Sequence, residues 1–373
     1  MNASRPRICY VVSSEITAAA FLREHIRRAA DRYEVTVVAN AANPGFLAAL
    51  GLTASLRSLA IERRITPWRD ARALLALYRL FRRERFELVH SVSPKAGLLA
   101  MLAACLARVP ARVHTFTGQV WVTRTGVARR FLKFMDSLIV AFATHVLVDS
   151  PSQREFLLAQ RVVSAAKSTV LGKGSISGVD GSRFKPDPQI RAALRAARGY
   201  RDGDVVFLYL GRLNRDKGMP DLARAFARVA ATAPSVRLLV VGPDEGGTRA
   251  SMQIALGQAT GRVQFANYTD RPQDFMAAAD VLCLPSYREG FGTVIIEAAA
   301  CGVPAIASRI YGVTGILHAP GDTIALAAAM TRLAEDAAYR RALGEAARKR
   351  ALADFPMAAL TSALLDFYAK ILH

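Results

Sequence analysis

The sequence predicts an α/β chain built from two doubly wound, parallel-sheet domains. Short β-branched runs alternate with longer amphipathic stretches, the pattern of parallel strands covered by helices on both faces. The alternation is interrupted once, by the Gly/Ser/Pro-rich stretch Gly172 to Pro188, and then resumes. At 373 residues the chain also exceeds what one ordinary core supports.

The elements follow in order. In the first half, strand-like runs fall at Ile8–Val12, Val35–Ala39, Leu88–His90, Arg112–Thr115, His145–Val148 and Thr169–Leu171. Helical patterns lie between them near 18–31, 70–85, 96–107, 127–143 and 151–160. In the second half the runs are Val205–Leu210, Arg237–Val241, Val263–Phe265, Val281–Leu284 and Pro304–Ala307. Helices are expected near 218–232, 248–258, 271–279, 292–301, 323–335 and 338–352, and Phe355 to Leu372 reads as one more amphipathic helix. The boundaries drawn are 1–175, 176–354 and a final segment, 355–373. Ligands of such sheets bind beyond the carboxyl ends of the strands. With two domains, the expected site is the cleft between them.

Composition narrows the function classes. With 52% hydrophobic residues, the chain is not intrinsically disordered. Its net charge of +20 favours anionic partners: phosphates, nucleic acid or anionic lipid. Residues 1–180 hold 26 basic and 12 acidic residues, so most of the excess lies in the first half. The most apolar stretch, Leu138 to Val148, has 11 residues, too few for a membrane-spanning helix. Met1 to Thr17 lacks the charged and apolar regions of a signal peptide, so a cytoplasmic protein, peripheral to a membrane at most, is expected. Cys9, Cys105, Cys283 and Cys301 are widely spaced and point to neither a zinc site nor a disulfide framework.

Two motifs carry chemistry. Gly211-Arg212-Leu213-Asn214-Arg215-Asp216-Lys217-Gly218 follows the run Val205–Leu210. A glycine at a strand end lets a ligand approach the backbone. A helix starting near Gly218 offers free N–H groups and a positive dipole end. Arg212 and Lys217 add two cations, a set that fits a diphosphate. The second motif, Glu289-Gly290-Phe291-Gly292-Thr293-Val294-Ile295-Ile296-Glu297, follows the run Val281–Leu284. Gly290 and Gly292 would expose N–H groups at a helix start. Glu289 and Glu297 are carboxylates able to accept from paired hydroxyls. Phosphates beside hydroxyl pairs describe a nucleotide sugar.

GRLNRDKG, then EGFGTVIIE and AAACGVPAIAS, resemble the C-terminal half of a family 4 glycosyltransferase of the GT-B fold. GVDGSRFKP resembles that family's entrance to its second domain, while LVHSVSPKAGLLA and ARVHTFTGQVW resemble bacterial members that build surface polysaccharides. The resemblance implies two Rossmann-like domains facing across a cleft: a first that binds acceptor, a second that binds nucleotide sugar, and a last helix crossing back to the first. It implies that Arg212 and Lys217 hold the donor diphosphate and Glu289 binds the donor sugar. Gly290, Phe291 and Gly292 would offer N–H groups to sugar and phosphate, and Glu297 would bind the ribose. It implies transfer from a UDP-sugar with retention of configuration to a saccharide or lipid-linked acceptor. No metal and no cofactor are expected, in keeping with the lack of a D-x-D-like loop near these motifs. His114 would be a strand-end residue facing the cleft and helping to position the reaction, with His90 a weaker candidate.

On the acceptor side, Lys95 at a helix start could meet a phosphate. Arg124, Arg129, Arg130 and Lys133 sit among Phe131, Leu132, Phe134 and Met135, as Arg79, Arg82, Arg83 and Arg85 sit among Leu74 to Phe81. Basic and apolar side chains so interleaved suit an anionic membrane surface.

The chain departs from the family pattern after Ser308, where about ten residues are missing around Gly312–Gly315, a change expected to weaken the donor site. The alternatives are a GT-B-fold nucleotide-sugar epimerase, which needs a cluster of acid/base groups, and a basic nucleic-acid-binding protein, which needs a reading motif absent here.

Overall fold

The computed structural model describes residues 5–62 and 66–372, so Met1–Ser4 of the N-terminal segment and His373 of the final one lie outside it. The chain divides into two compact units, Met1–Ser177 with Met357–His373, and Gly178–Pro356.

In the first unit the strands are β1 (Arg7–Val11), β2 (Glu34–Ala39), β3 (Ser55–Ser58), β4 (Leu88–Val92), β5 (Ala111–Phe116), β6 (His145–Val148) and β7 (Ser168–Thr169). The helices are α1 (Glu15–Thr17), α2 (Arg23–Ala29), α3 (Phe46–Ala49), α4 (Pro67–Glu84), α5 (Pro94–Leu106), α6 (Gly126–Phe142) and α7 (Pro151–Ala159). The sheet order is β3-β2-β1-β4-β5-β6-β7, every pair parallel. Strands β1 and β4 are almost wholly buried, as a sheet covered on both faces requires. One apolar cluster lies under α4, α5 and α6, and a second gathers Ile8, Tyr10, Leu22 and Ile26 on the other face.

The second unit holds α8 (Pro188–Ala197), β8 (Val205–Leu210), α9 (Met219–Thr232), β9 (Val236–Val241), α10 (Thr248–Leu256), β10 (Val263–Ala266) and α11 (Pro272–Ala278). It continues with β11 (Val281–Leu284), α12 (Thr293–Ala300), β12 (Ala305–Ser308), β13 (Ile316–His318), α13 (Thr323–Glu335) and α14 (Ala337–Asp354). Its parallel order is β10-β9-β8-β11-β12-β13. After Pro356 the chain returns to the first unit as α15 (Met357–Leu372), which packs against α2 and puts Leu364, Leu365 and Tyr368 into the second cluster of that unit.

Four elements were not expected. Ser55–Ser58 (SLRS) is an edge strand with exposed side chains, so it lacks the apolar run that reveals an inner strand. Ile316–His318 is a three-residue edge strand directly after Gly312–Gly315. Phe46–Ala49 is a single turn. Pro188–Ala197 starts with Asp187 accepting from Ile190 N (2.9 Å), a cap concealed among turn-forming residues. The expected helix 18–31 is broken by a π turn at Ala18–Leu22, for which the structure offers no cause.

Candidate functional site

In the second unit the strand order reverses between β8 and β11, so the loops following these two strands are neighbours at the switch point. These loops are the two motifs. They are bound together backbone to backbone and side chain to side chain. Tyr287 N donates to Asp216 O (2.8 Å), and Arg288 Nε donates to Asp216 Oδ2 (2.8 Å). Tyr287 OH donates to Asp221 Oδ2 (2.7 Å). Gly218 is obligatory at the crossing. Its φ is +68°, and a Cβ there would lie 2.0 Å from Pro285 O.

Lys217 and Glu289 meet across this junction, Nζ to Oε1 at 2.5 Å, and Ser286 Oγ donates to the same oxygen (2.8 Å). Both side chains are largely buried. Arg212 stands at the end of β8, its carbonyl accepting from Tyr209 OH (2.8 Å), its guanidinium turned to Glu245. Glu297 lies on α12, and its carboxylate accepts no hydrogen bond among the described residues. Burial pushes its carboxyl up to about 7, with the charge of Arg183 opposing.

One expectation about this loop is corrected. Gly292 N donates to Gly312 O (2.8 Å), so the Gly312–Gly315 segment consumes an N–H that was to serve the ligand. Gly290 and Phe291 spend no N–H on a backbone carbonyl among the described residues, and the Phe291 ring packs on Phe355 (5.2 Å between centroids).

In the first unit the candidates fare differently. His114 is inside β5, fully buried, and not at an open strand end. Its Nδ1 shares a hydrogen bond with Ser91 Oγ (2.8 Å), its ring meets Phe116 edge-on, and its Nε2 is buried without a partner among the described residues. Desolvation lowers its pKa to about 3, so the ring is neutral. His90 is equally buried, held by Tyr368 OH and by Thr115 Oγ1. Lys95 is not an available cation: its Nζ lies 2.6 Å from Asp70 Oδ1.

Arg124, just before α6, and Arg129 and Arg130 on it are exposed. Arg129 and Lys133 stand over the Trp121 ring, each 5.7 Å from its centroid, and Lys133 also donates to Gln160. Lys133 therefore belongs to the packing and not to an open surface. The same helix exposes Val127 (80%), Phe131 (47%) and Phe134 (56%), spaced four and three apart on one face. Helix α4 exposes Trp68 (85%) and Leu75 beside Arg72, Arg79 and Arg82. Both helices pack against α5. Trp68 was missed; its spacing of seven from Leu75 on a helix opened by Pro67 was the available signal. No helix among the described residues is long and apolar enough to cross a membrane. No group of three or more metal-ligating side chains occurs among them.

Two doubly wound parallel sheets, one with cations and carboxylates gathered at its switch point, define the class of two-unit α/β proteins. Comparison with known proteins narrows this. Residues 190–350 match the model for glycosyl transferases group 1, and residues 17–174 match a glycosyl transferase 4-like domain. The capsular polysaccharide biosynthesis glycosyltransferase CapM of Staphylococcus aureus is 30% identical over 300 residues, covering 78% of each chain. The UDP-Gal:alpha-D-GlcNAc-diphosphoundecaprenol alpha-1,3-galactosyltransferase of Escherichia coli is 27% identical over 255 residues, 67% of this chain and 65% of that one. Anabaena HepE, crystallised in complex with UDP and glucose, superposes with a TM-score of 0.81 at 20% identity, covering 98% of this chain and 100% of the other. The chain belongs to the family 4 glycosyltransferases of the GT-B fold.

Proposed function

We propose that this glycosyltransferase moves a sugar from a UDP-sugar, with retention of configuration, to a saccharide or lipid-linked acceptor in surface polysaccharide synthesis. The observation that carries the reading is the Lys217–Glu289 pair, a cation and a carboxylate 2.5 Å apart at the switch point of the second sheet. A donor entering there meets Lys217 with its diphosphate and Glu289 with its sugar hydroxyls, replacing the contact that the two make with each other. Arg212 supplies the second cation, and Glu297 accepts from the ribose.

Departure of the diphosphate builds negative charge. Two fixed cations and the N–H groups of Gly290 and Phe291 oppose that charge without reorganising, so we assign them the stabilisation of the leaving group without a resident metal. The named substrates of the relatives, a galactosyl nucleotide and a diphosphoundecaprenol acceptor among them, agree with this reading. In the first unit we assign the acceptor side. The outward faces of α4 and α6, aromatic and arginine-rich, would rest on anionic lipid at the inner face of the cytoplasmic membrane. His114 would act through its buried Nε2, as a neutral hydrogen-bonding group.

The test is nucleotide binding followed by transfer. UDP and UDP-sugars should raise the melting temperature of the wild type. Lys217→Ala and Glu289→Ala should each lower transfer by at least about 100-fold, the scale of losing a group that stabilises transition-state charge, while melting stays cooperative. Near-normal transfer in both variants would refute the site.

A further inference from the structure

The donor-site reading gives Glu245 no role, yet Glu245 is the residue that determines where Arg212 points. Both its carboxylate oxygens accept from a single nitrogen, Arg212 Nη1, at 3.0 and 2.9 Å. Asn214 Nδ2 donates to the same carboxylate (3.2 Å). Nε and Nη2 of Arg212 have no partner among the described residues. Those two donors form the bidentate edge that suits a phosphate.

The support beneath Glu245 is backbone. Beyond the ends of β8 and β9 the two chains remain paired: Leu213 N donates to Pro243 O (2.9 Å), and Glu245 N donates to Leu213 O (2.9 Å). Leu213 and Asp244 form an isolated parallel bridge. The loops approach so closely that a Cβ on Gly242 would lie 1.9 Å from Gly211 O. Asp244 then caps α10 by accepting from Thr248 N (2.8 Å). Glu245 thus stands on a rigid extension of the sheet, beside the arginine it holds.

An ion pair this exposed, with 44% and 38% of the side chains open, contributes little to folding. Its value lies in ordering a flexible side chain before the ligand arrives, a cost that binding would otherwise bear. Resting on the donor-site reading above, we propose that Glu245 is a positioning residue of that site: it holds Arg212 by Nη1 and leaves Nε and Nη2 presented to the donor diphosphate. A carboxylate that instead mimicked the phosphate would take the bidentate edge itself, and Glu245 does not.

The experiment is calorimetric titration of the full chain with UDP and with GDP, using Glu245→Ala, Arg212→Ala and the double variant, alongside melting curves. Glu245→Ala should weaken the better-bound nucleotide about tenfold with an unchanged melting temperature, and Glu245→Asp should recover part of the loss. In the Arg212→Ala background the same change should cost under about twofold, because the residue acts through the arginine. Binding by Glu245→Ala equal to or tighter than wild type, or a full effect without Arg212, would overturn the proposal alone. No effect of Arg212→Ala, or no binding of either nucleotide by the wild type, would overturn the donor-site reading and this inference together.

Discussion

Asp136 shows how strongly a single residue can be set by its surroundings. It is buried on α6 and accepts from the indole N–H of Trp121 (2.8 Å), a ring that also stacks on Phe156. Burial raises its carboxyl from 3.8 to about 7, while the indole bond pulls the other way. Between those values the folded protein holds a proton that the unfolded chain has released. Stability therefore falls as pH rises through the window, and the penalty is complete above it. Asp136→Asn keeps an acceptor for the indole and removes the charge. Its melting temperature should drop less than that of the wild type between about pH 5 and about pH 8. Equal drops in the two proteins would mean that Asp136 does not titrate in this way. At this scale the sequence was only partly legible. Glu289, Lys217 and Arg212 could be named because they occupy strand-end loops where few structural duties exist. Glu245 could not, because its partner is 33 residues away and only the β8–β9 pairing brings them together. Lys95 was misread for the same reason: Asp70, which neutralises it, lies on another helix.

Among elements, the buried parallel strands were the most legible. β8 and β11 begin and end where the sequence places them, since a strand covered on both faces is a continuous apolar run bounded by polar turns. Two edge strands, β3 and β13, were illegible because they are short and mostly not buried, whereas β10, also at an edge, was read from its apolar run. Helix α6 illustrates a pattern that can be read but not resolved. Its arginines and aromatics alternate in sequence, while the structure separates Lys133 and Arg129, committed to Trp121, from Val127, Phe131 and Phe134, which face outward. This gives the helix one set of side chains over Trp121 and another of exposed apolar ones. Phe131→Asp with Phe134→Asp should abolish flotation with anionic vesicles at low salt and shift stability by no more than about 0.5 kcal/mol per site. Undiminished flotation would remove α6 from the membrane surface.

At the scale of the molecule, the buried imidazoles of the first unit work against the fold in acid, the opposite sense to Asp136. His25, His90 and His114 are buried with lowered pKa values. A group whose folded pKa lies below its unfolded one binds a proton mainly on unfolding, so stability is lost as pH falls below about 6.5. Two of these rings also hold the last helix. His25 Nδ1 meets Thr361 Oγ1 (2.9 Å), and His90 is joined to Tyr368, whose hydroxyl donates to Tyr10 (3.2 Å). Acid titration followed by hydrogen exchange should find α15 losing protection with, or ahead of, the sheet it covers. Protection in α15 that outlasts the sheet would show the imidazoles to be unimportant there.

The return of α15 to the first unit also has a consequence for biosynthesis. The groove that receives Leu364, Leu365 and Tyr368 is finished when β1, β4 and α2 have formed, but its occupant is encoded after the entire second unit. At about 5–20 residues per second, the ribosome needs roughly 10–40 s to supply it. Throughout that interval the nascent first unit carries an uncovered apolar groove with two histidines at its floor. The protein's most dangerous moment for aggregation is therefore not early in synthesis but late, while one unit is complete and the other still waits for its last 16 helical residues.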